Sequence, residues 1–343
     1  MKRLRIAVIT ARPASGEIGG AERFYNALIV ALRGVGHSVA ELPIPTDEAT
    51  VESIKRSYLH AYDMDVSHFD MVVSTKAPTW LVRHPRHVCY LVHTIRVFYD
   101  MYEDVFGHGS ESQRADRALI HDLDSGALSP PRCRAVFSIG EEVSARLRSA
   151  NGLDAEVLHP PLWTDAFSGG AAKGYILVPG RLHPWKRVHL SIEAMRLLRD
   201  PSIRMRIVGT GEAEAELHAL AAGDPRIEFM GRVSDQDLRE LYAGANLVAF
   251  TPKREDYGYI TLEAFASSKP VVTCSDSGEA ASLVKDGQSG LVCPPDGHSL
   301  CNAFERLLAS SEDSAAMGRA GKEWVESLSW SRIADRLVSA GMQ

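Results

Sequence analysis

Residues 247–266 read LVAFTPKREDYGYITLEAFA, and our prediction of the fold starts from these residues. The apolar run 247–250 predicts a buried strand, and Gly258 permits a tight turn after it. Thr261 or a neighbour then begins a helix that continues to residue 266. The predicted order is therefore strand, loop and helix.

Two carboxylates flank the glycine turn of this stretch, those of Glu255 and Glu263. A loop that leads into a helix directs backbone N–H groups and the positive end of the helix dipole at one point, which favours phosphate. Since carboxylates do not bind phosphate themselves, we interpret them as holding hydroxyl groups on either side of it. A phosphate flanked by hydroxyls indicates a nucleotide sugar. The alternative is a capped helix with two solvated glutamates.

The length of the chain, 343 residues, exceeds the roughly 250–300 residues that one hydrophobic core supports, so we expect two domains. A net charge of −6, with acids and bases interspersed, argues against a nucleic-acid-binding surface. The five cysteines contain no CxxC pair and no metal-ligand spacing, as expected for free thiols in a reducing cytoplasm.

The first apolar run, residues 6–10, is too short for a signal peptide, and no small-residue cleavage site follows it. No apolar stretch approaches the length of about 18 residues that a transmembrane helix needs. We therefore predict a cytoplasmic protein with at most peripheral contact with a membrane.

Both halves of the chain alternate short apolar runs with amphipathic segments. The runs are continuous, which is typical of parallel strands that are covered on both faces. The predicted strands are 6–10, 39–42, 71–74, 88–92, 135–139, 175–178, 204–208, 227–230, 247–250, 271–273 and 290–292. Helices are predicted at 21–34, 187–199 and 330–342.

This pattern predicts an α/β fold with two doubly wound, Rossmann-like parallel sheets that face each other across a cleft. The predicted N-terminal domain is 1–168, and the small, flexible segment 169–174 links it to a second domain at 175–327. The last segment, within 328–343, is amphipathic and predicts a terminal helix. A ligand in such a fold binds at the carboxyl ends of the strands.

Three further segments follow predicted strands. Arg181 and Lys186 stand before a helix, where cations oppose the dipole and therefore suggest a bound anion. Gly19 and Gly20 precede the first helix and let a ligand approach the backbone closely. His93 ends the strand 88–92. The alternatives are a surface charge cluster, an ordinary turn and a structural histidine, respectively.

Two DxD patterns, at 63–65 and 122–124, resemble metal–diphosphate motifs, but neither follows a convincing hydrophobic strand. The turn 209–211 begins like a dinucleotide fingerprint, yet Glu214 stands where the third glycine belongs. We therefore predict no metal site and interpret 209–211 as a sharp strand-to-helix turn.

Taken together, these residues resemble the family 4 glycosyltransferases, which are retaining enzymes with the two-domain GT-B fold. The segments 19–22, 180–186, 208–212 and 255–263 occur in the order of that family. The run 329–331 looks like the start of its terminal helix, and the resemblance implies that residues 328–343 pack back across the domains. Tyr257 and Tyr259 depart from the family pattern, in which phenylalanine and a small aliphatic residue are commoner.

The resemblance implies a role for each matching position. Arg181 and Lys186 would hold the donor diphosphate, Glu263 the ribose, and Glu255 the hydroxyls of the transferred sugar. His93 would contact that sugar, and the catalytic set would be His93, Arg181, Lys186 and Glu255. The base would lie against Arg232 and Val233. Backbone groups would complete the phosphate cradle at Gly19, Gly20, Gly258, Tyr259, Ile260 and Thr261.

By this resemblance the chain is a metal-independent retaining hexosyltransferase of polysaccharide or glycoconjugate biosynthesis, without a cofactor. It would move a hexose-type sugar from a UDP- or GDP-linked donor to an acceptor hydroxyl of a glycan, a lipid-linked glycan or a small natural product. The alternatives are a nucleotide-sugar epimerase, a NAD-dependent dehydrogenase and a two-domain sugar-binding protein. The excess of arginine over lysine hints at a GC-rich bacterial genome.

We expect acceptor specificity to reside in residues 90–102. This segment holds Phe98, Tyr99 and Tyr102, together with Arg96. The aromatic rings either stack on a sugar or pack in the core, and the sequence leaves both alternatives open.

Overall fold

The computed structural model describes residues 3–13 and 20–343. The chain forms two compact units, which are described separately. Unit 1 comprises Met1–Trp163 together with Ser329–Gln343, and unit 2 comprises Thr164–Leu328.

The elements of both units follow the chain in a nearly regular alternation of strand and helix. The strands are β1 (Arg5–Pro13), β2 (Ser38–Thr46), β3 (Met71–Lys76), β4 (His87–His93), β5 (Ala135–Ser138), β6 (Glu156–Val157), β7 (Tyr175–Pro179), β8 (Arg204–Val208), β9 (Ile227–Gly231), β10 (Leu247–Ala249), β11 (Val271–Cys274) and β12 (Gly290–Cys293). The α-helices are α1 (Gly20–Gly34), α2 (Val51–Asp63), α3 (Tyr102–Phe106), α4 (Glu111–Leu128), α5 (Glu141–Asn151), α6 (Val188–Leu197), α7 (Glu214–Ala221), α8 (Asp235–Gly244), α9 (Tyr259–Ala266), α10 (Glu279–Leu283), α11 (Gly297–Ala309), α12 (Ser311–Glu326) and α13 (Trp330–Met342). Single 3₁₀ turns lie at Thr79–Leu81, Arg96–Phe98 and Pro184–Lys186.

Within the described residues, unit 1 holds a six-stranded sheet of order β2-β1-β3-β4-β5-β6, and every pairing is parallel. The central strands β3 and β4 are buried on both faces, as their continuous apolar runs predict. The chain first extends the sheet to one side of β1 and then continues on the other, so this sheet is doubly wound.

The terminal helix α13 is part of unit 1, where it packs against α1, β3 and β4. Ser329 caps it by accepting a hydrogen bond from the backbone of Arg332, as expected for a serine just before a helix. The ring of Trp330 lies against Phe24, and its Nε1 donates to the Leu162 carbonyl over 3.2 Å. These contacts tie the end of the chain to the first unit.

In the part of unit 2 that the structure describes, the second sheet has the order β12-β11-β10-β7-β8-β9, again with parallel pairings. Successive residues of β7 point to opposite faces. Ile176 and Val178 belong to a core formed with α6 and α11, whereas Tyr175 and Leu177 belong to a core formed with α8 and α9. Two apolar layers therefore enclose the sheet, and the prediction of two doubly wound parallel sheets is confirmed.

The order of the second sheet reverses at β7. After β7 the chain builds β8 and β9 on one side, and it then crosses to β10 on the other. The loops that follow β7 and β10 consequently leave the sheet in diverging directions. In open α/β sheets, ligands bind beside the carboxyl ends of the strands at such a point.

No helix in the described part of the chain has both the length and the apolar character needed to cross a membrane.

Candidate active site

The loops after β7 and β10 meet through one ion pair. The Nζ atom of Lys186 lies 2.6 Å from Oε2 of Glu255, and both side chains are mostly buried. The ammonium also lies 5.5 Å from the centre of the Phe250 ring. An ammonium has three N–H donors, so two remain for a ligand after the bond to Glu255. This pair stands where the strand order of the sheet reverses.

The backbone of Glu255 is held by the loop that follows β11. Its N–H donates to the Ser277 carbonyl over 3.1 Å, and its carbonyl accepts from Glu279 over 2.9 Å. A Cβ on Gly278 would come within 2.6 Å of the Glu255 backbone, so a glycine is needed at this contact. Hydrogen bonds of the main chain therefore fix the backbone that carries the Glu255 carboxylate.

Arg181 is the second predicted phosphate ligand, and it lies on the loop after β7. Its guanidinium is 3.4 Å from a carboxylate oxygen of Glu212, and the Nε2 atom of His183 is 3.2 Å from the other oxygen. A backbone hydrogen bond is the main cause that lowers the pKa of Glu212, and the charges of His183 and Arg181 act in the same direction. Arg181 is exposed, so its side chain is available at the surface of this loop.

The helix predicted after Arg181 and Lys186 is α6, which begins at Val188, so both cations precede a helix as the sequence indicates. Lys186 itself ends the 3₁₀ turn that leads into α6. Each cation is also partly neutralised by a carboxylate, that of Glu212 or Glu255. The bound anion at these residues stays a prediction.

Glu263 lies on α9 and is buried, with 6% of its surface exposed. Its Oε2 accepts a hydrogen bond of 2.6 Å from the hydroxyl of Tyr242 on α8. Burial, and then the negative charge of Glu263, raise the pKa of Tyr242, so its proton stays in this bond. The alternative of two solvated glutamates is wrong, because Glu255 is paired and Glu263 is enclosed.

Helix α9 begins after Gly258, which has the left-handed backbone that the predicted turn requires (φ 83°). The N–H of Thr261 donates to the Gly258 carbonyl over 2.8 Å, so this donor is used within the turn. The Thr261 hydroxyl is fully buried and has no hydrogen-bond partner in the described part of the chain. A ligand that binds at the start of α9 would therefore contact the turn at Ile260 rather than at Thr261.

Two glycines bring the carboxyl ends of β7 and β8 against each other. A Cβ on Gly209 would lie 2.0 Å from the Gly180 carbonyl oxygen, and one on Gly180 would lie 3.0 Å from Cδ1 of Ile260. Leu182 also donates to the Thr210 carbonyl over 3.0 Å. The weak motif at 209–211 thus serves as a tight turn beside the Arg181 loop.

Arg232 and Val233 follow β9, at the far side of this edge of the sheet. Arg232 is exposed, whereas Val233 packs on the core formed with α8 and α9. Among the residues described here, no group of three or more histidine, cysteine, aspartate or glutamate side chains is arranged to hold a metal ion.

The remaining predicted residues lie in unit 1. His93 ends β4, and its carbonyl accepts from the Ala77 backbone over 3.3 Å. Nearby, Lys76 and Glu48 form an ion pair of 2.8 Å. Gly20 is the first residue of α1, and Gly19 lies outside the described residues.

The aromatic residues of segment 90–102 pack in the core. Phe98, Tyr99 and Tyr102 are each at most 3% exposed. The Tyr99 hydroxyl donates to Asp124 over 2.6 Å, and Arg96 makes an ion pair with Asp100. These rings therefore do not stack on a sugar, and the choice that the sequence left open is decided in favour of packing.

Asp124 belongs to one of the two DxD patterns and is fully buried. Its carboxylate accepts hydrogen bonds from Tyr58 (2.9 Å), Trp80 (2.7 Å) and Tyr99 (2.6 Å). Burial raises the pKa of Asp124 to about 6, although these three donors oppose the shift. The aspartate thus organises the core of unit 1.

Two residues that support the site, Asp276 and Tyr242, carry no signal in the sequence. Both terminal nitrogens of Arg187 donate hydrogen bonds to Asp276, and the Tyr242 hydroxyl donates to Glu263. Asp276 lies between a strand end and a glycine, a pattern common to many loops. Tyr242 lies on a helix face that reads as ordinary core.

A family model described as glycosyl transferases group 1 matches residues 167–324. The D-inositol 3-phosphate glycosyltransferase of Mycobacterium avium (strain 104) is 29% identical over 248 residues, which cover 66% of this chain and 54% of that relative. The chain thus spans about half of the length of this curated relative.

Two solved structures are similar over nearly the whole chain. The first is Anabaena HepE in complex with UDP and glucose, with a TM-score of 0.69 and 15% identity, covering 97% of this chain and 98% of that one. The second is sucrose-phosphate synthase of Thermosynechococcus elongatus, with a TM-score of 0.73, 18% identity and 98% coverage of both chains. At these identities the likeness shows the fold alone.

Proposed function

We propose that this chain, which belongs to the group 1 glycosyltransferases and has their two-domain GT-B fold, transfers a sugar from a nucleoside-diphosphate sugar to an acceptor hydroxyl. The observation that carries the proposal is the ion pair of Lys186 with Glu255 at the point where the second sheet reverses. In this pair, a cation that we propose to bind phosphate lies 2.6 Å from a carboxylate that we propose to bind hydroxyls. A sugar attached to a diphosphate presents these two kinds of group side by side.

On the donor side, the proposal gives each residue one task. Lys186 and Arg181 bind the diphosphate, and Glu255 accepts hydrogen bonds from hydroxyls of the transferred sugar. Glu263 accepts a hydrogen bond from the ribose. The backbone at Gly258, Tyr259 and Ile260 borders the phosphates, and Arg232 and Val233 border the base. The roles of His93, Gly19 and Gly20 stay predictions from the resemblance.

In the reaction, the bond between the anomeric carbon and the diphosphate oxygen breaks, and a bond from the acceptor oxygen to that carbon forms. The acceptor proton passes to the departing diphosphate. We propose that attack occurs on the face of the leaving group, so that the anomeric configuration is retained. Negative charge grows on the diphosphate as it leaves, and fixed cations beside it lower the barrier because they are already oriented.

We further propose that these cations act without a metal ion. Lys186 is held by Glu255, and Arg181 by Glu212, so neither must be reoriented when the charge develops. The expected donor is a UDP- or GDP-linked hexose, with UDP tested first because a protein of this fold is solved with UDP and glucose. The acceptor is proposed as a glycan, a lipid-linked glycan or a small molecule. A nucleotide-sugar epimerase is not favoured, since the relative reported above is named as a transferase.

Thermal unfolding with UDP, GDP, dTDP and ADP, each with EDTA or with Mg²⁺, tests this proposal. A diphosphate present at 100 times its Kd stabilises the folded protein by about 2.7 kcal/mol, which raises the Tm by a few degrees. We expect one diphosphate to raise the Tm equally in EDTA and in Mg²⁺. A shift that needs Mg²⁺ would overturn metal independence, and no shift with any of the four would overturn the donor site.

A further inference from the structure

Arg187 follows Lys186 and connects three loops of unit 2. Its Nε donates to the Thr251 carbonyl over 2.9 Å, and its Nη2 donates to the Pro252 carbonyl over 2.8 Å. The two terminal nitrogens also bind both carboxylate oxygens of Asp276, at 2.6 and 2.7 Å. One guanidinium thus joins the loops that follow β7, β10 and β11.

The same loops are joined a second time around Glu255. Asp276, which Arg187 holds, accepts through its carbonyl the N–H of Arg254 over 3.0 Å. The next residue, Glu255, pairs with Lys186, which precedes Arg187. The bonds therefore form a closed ring through Lys186, Arg187, Asp276, Arg254 and Glu255. A change in the position of Arg187 must displace at least one partner of the ion pair.

The backbone of Arg187 is left-handed, with φ 50° and ψ 39°. This region is unfavourable for a residue with a Cβ and easy for glycine. This backbone conformation costs free energy for an arginine, and the four hydrogen bonds of the Arg187 side chain offset that cost. Its side chain is only 13% exposed, so its donors are committed to the protein.

We infer that Arg187 is a positioning residue of the donor site: its guanidinium holds Lys186 and Glu255 at their mutual distance by tying the loops that carry them. The inference rests on the proposed function for its effect on catalysis. Arg187 itself does not touch the donor. It acts through Asp276 and through the carbonyls of residues 251 and 252. Burial alone would raise the pKa of Asp276, but the hydrogen bonds and the charge of Arg187 outweigh burial and lower this pKa.

The test compares Arg187→Gly and Arg187→Lys with a matched control, Arg226→Ala. Arg226 makes the same kind of network in unit 2, with both oxygens of Asp224 and the carbonyls of Met195 and Leu198. It precedes β9 and so lies at the opposite, amino edge of the sheet. Three quantities are measured: UDP binding, UDP release from UDP-glucose, and amide exchange of the peptide 250–258 without ligand.

Glycine suits the left-handed backbone, so we expect Arg187→Gly to keep its Tm near that of the unmodified chain. We expect its exchange at 250–258 to rise and its kcat/KM for UDP release to fall about a hundredfold, since a misplacement of about 1 Å can cost that much. Arg187→Lys keeps a charge beside Asp276 and should recover part of the rate. Arg226→Ala should lower the Tm and leave exchange at 250–258 and UDP binding unchanged.

The two proposals fail in different ways. If Arg187→Gly releases UDP as fast as the unmodified chain, with unchanged exchange at 250–258, the positioning role is overturned. An equal loss of rate in Arg187→Gly and Arg226→Ala, in step with their Tm, would also overturn it. If the unmodified chain binds none of the four diphosphates, the proposed function fails, and the exchange of 250–258 still decides whether Arg187 holds the loop.

Discussion

The hydroxyl of Tyr242 donates to Oε2 of Glu263 over 2.6 Å, so a tyrosine of α8 orients a buried glutamate of α9. A buried carboxylate is costly unless it is hydrogen-bonded. Tyr242 offsets that cost by donating to one oxygen of the carboxyl group. The glutamate of the proposed ribose site is therefore oriented by a residue that would not touch the ligand.

Replacement of Tyr242 by phenylalanine tests this relationship. The variant removes one hydroxyl and should lower the free energy of unfolding by about 1–3 kcal/mol, because a buried carboxyl group loses a hydrogen-bond donor. We also expect weaker binding of UDP, measured by calorimetry, because Glu263 loses its orientation. Tyr175→Phe is the control: its hydroxyl donates to the Leu241 carbonyl over 2.7 Å in the same core, but not to Glu263. Equal loss of UDP affinity in both variants would contradict the role given to Glu263.

The ion pair between Lys186 and Glu255 should be essential for transfer and dispensable for folding. We expect Lys186→Ala to lower the rate of donor cleavage about 10²–10³-fold, as does the loss of one preorganised donor to a developing charge. Glu255→Ala should also lose activity, because the sugar hydroxyls lose their acceptor.

The pair of Arg206 with Glu228 serves as a control for these two variants. It is also an ion pair of unit 2, at 3.1 Å, but it joins the neighbouring strands β8 and β9. Arg206→Ala and Glu228→Ala should leave donor cleavage near the unmodified rate. If Lys186→Ala and Glu255→Ala behave like these controls, the assignment of the site is wrong.

Gly209→Ala should destabilise unit 2 far more than Gly223→Ala. Both glycines have positive φ, 125° and 88°, but only Gly209 approaches another backbone: its Cβ would lie 2.0 Å from the Gly180 oxygen. Nothing lies within 4 Å of a Cβ on Gly223. Urea unfolding should show a loss of about 1–2 kcal/mol for Gly223→Ala, from backbone strain alone. For Gly209→Ala we expect at least about 3 kcal/mol, since overpacking adds to strain. Similar losses would mean that the two loops are not in contact in solution.

Asp124 should make the stability of unit 1 depend on pH. Its pKa rises from 3.8 to about 6 on folding, so the folded state binds the proton more tightly than the unfolded state. The stabilising contribution is complete below the unfolded pKa and is lost as the pH rises through about 6.

The measurement is urea unfolding at pH 4.5 and pH 7 for the unmodified chain, for Asp124→Asn and for Asp122→Asn, an exposed control on the same helix. A shift of about two pKa units corresponds to about 3 kcal/mol as an upper limit. From pH 4.5 to pH 7, the free energy of unfolding of the unmodified chain should fall by more than that of Asp124→Asn. It should fall by the same amount as that of Asp122→Asn. No difference in pH dependence between the two variants would show that Asp124 does not titrate in this range.

Most strands of both units could be predicted closely because they contain a continuous apolar run, whereas β6, which has no such run, was not predicted. The strand 204–208 and the helix 330–342 coincide with β8 and α13. Helix α9 was placed by the glycine at 258, since left-handed backbone is nearly reserved for glycine. The helix predicted at 187–199 begins within one residue of the observed start of α6 at Val188.

The cysteines illustrate what spacing along the chain does not reveal. Cys274 and Cys293 are 19 positions apart, yet they are partners in register on β11 and β12. Strand order depends on which loops cross the sheet, and no local pattern encodes it. In the same way, the aromatic residues of 90–102 are compatible in sequence with either sugar binding or core packing. The hydrogen bond from Tyr99 to Asp124, 25 positions along the chain, belongs to the packed core.

Local sequence patterns suffice for the α/β class, the two doubly wound sheets and the paired glutamates on either side of a glycine turn. These follow from local propensities, which act over a few residues. The pairing of Lys186 with Glu255, the bond from Tyr242 to Glu263 and the contacts of Arg187 with three loops emerge only in the folded chain. Each of these contacts joins residues 21 or more positions apart, and it exists because strand order brings distant loops and helices together.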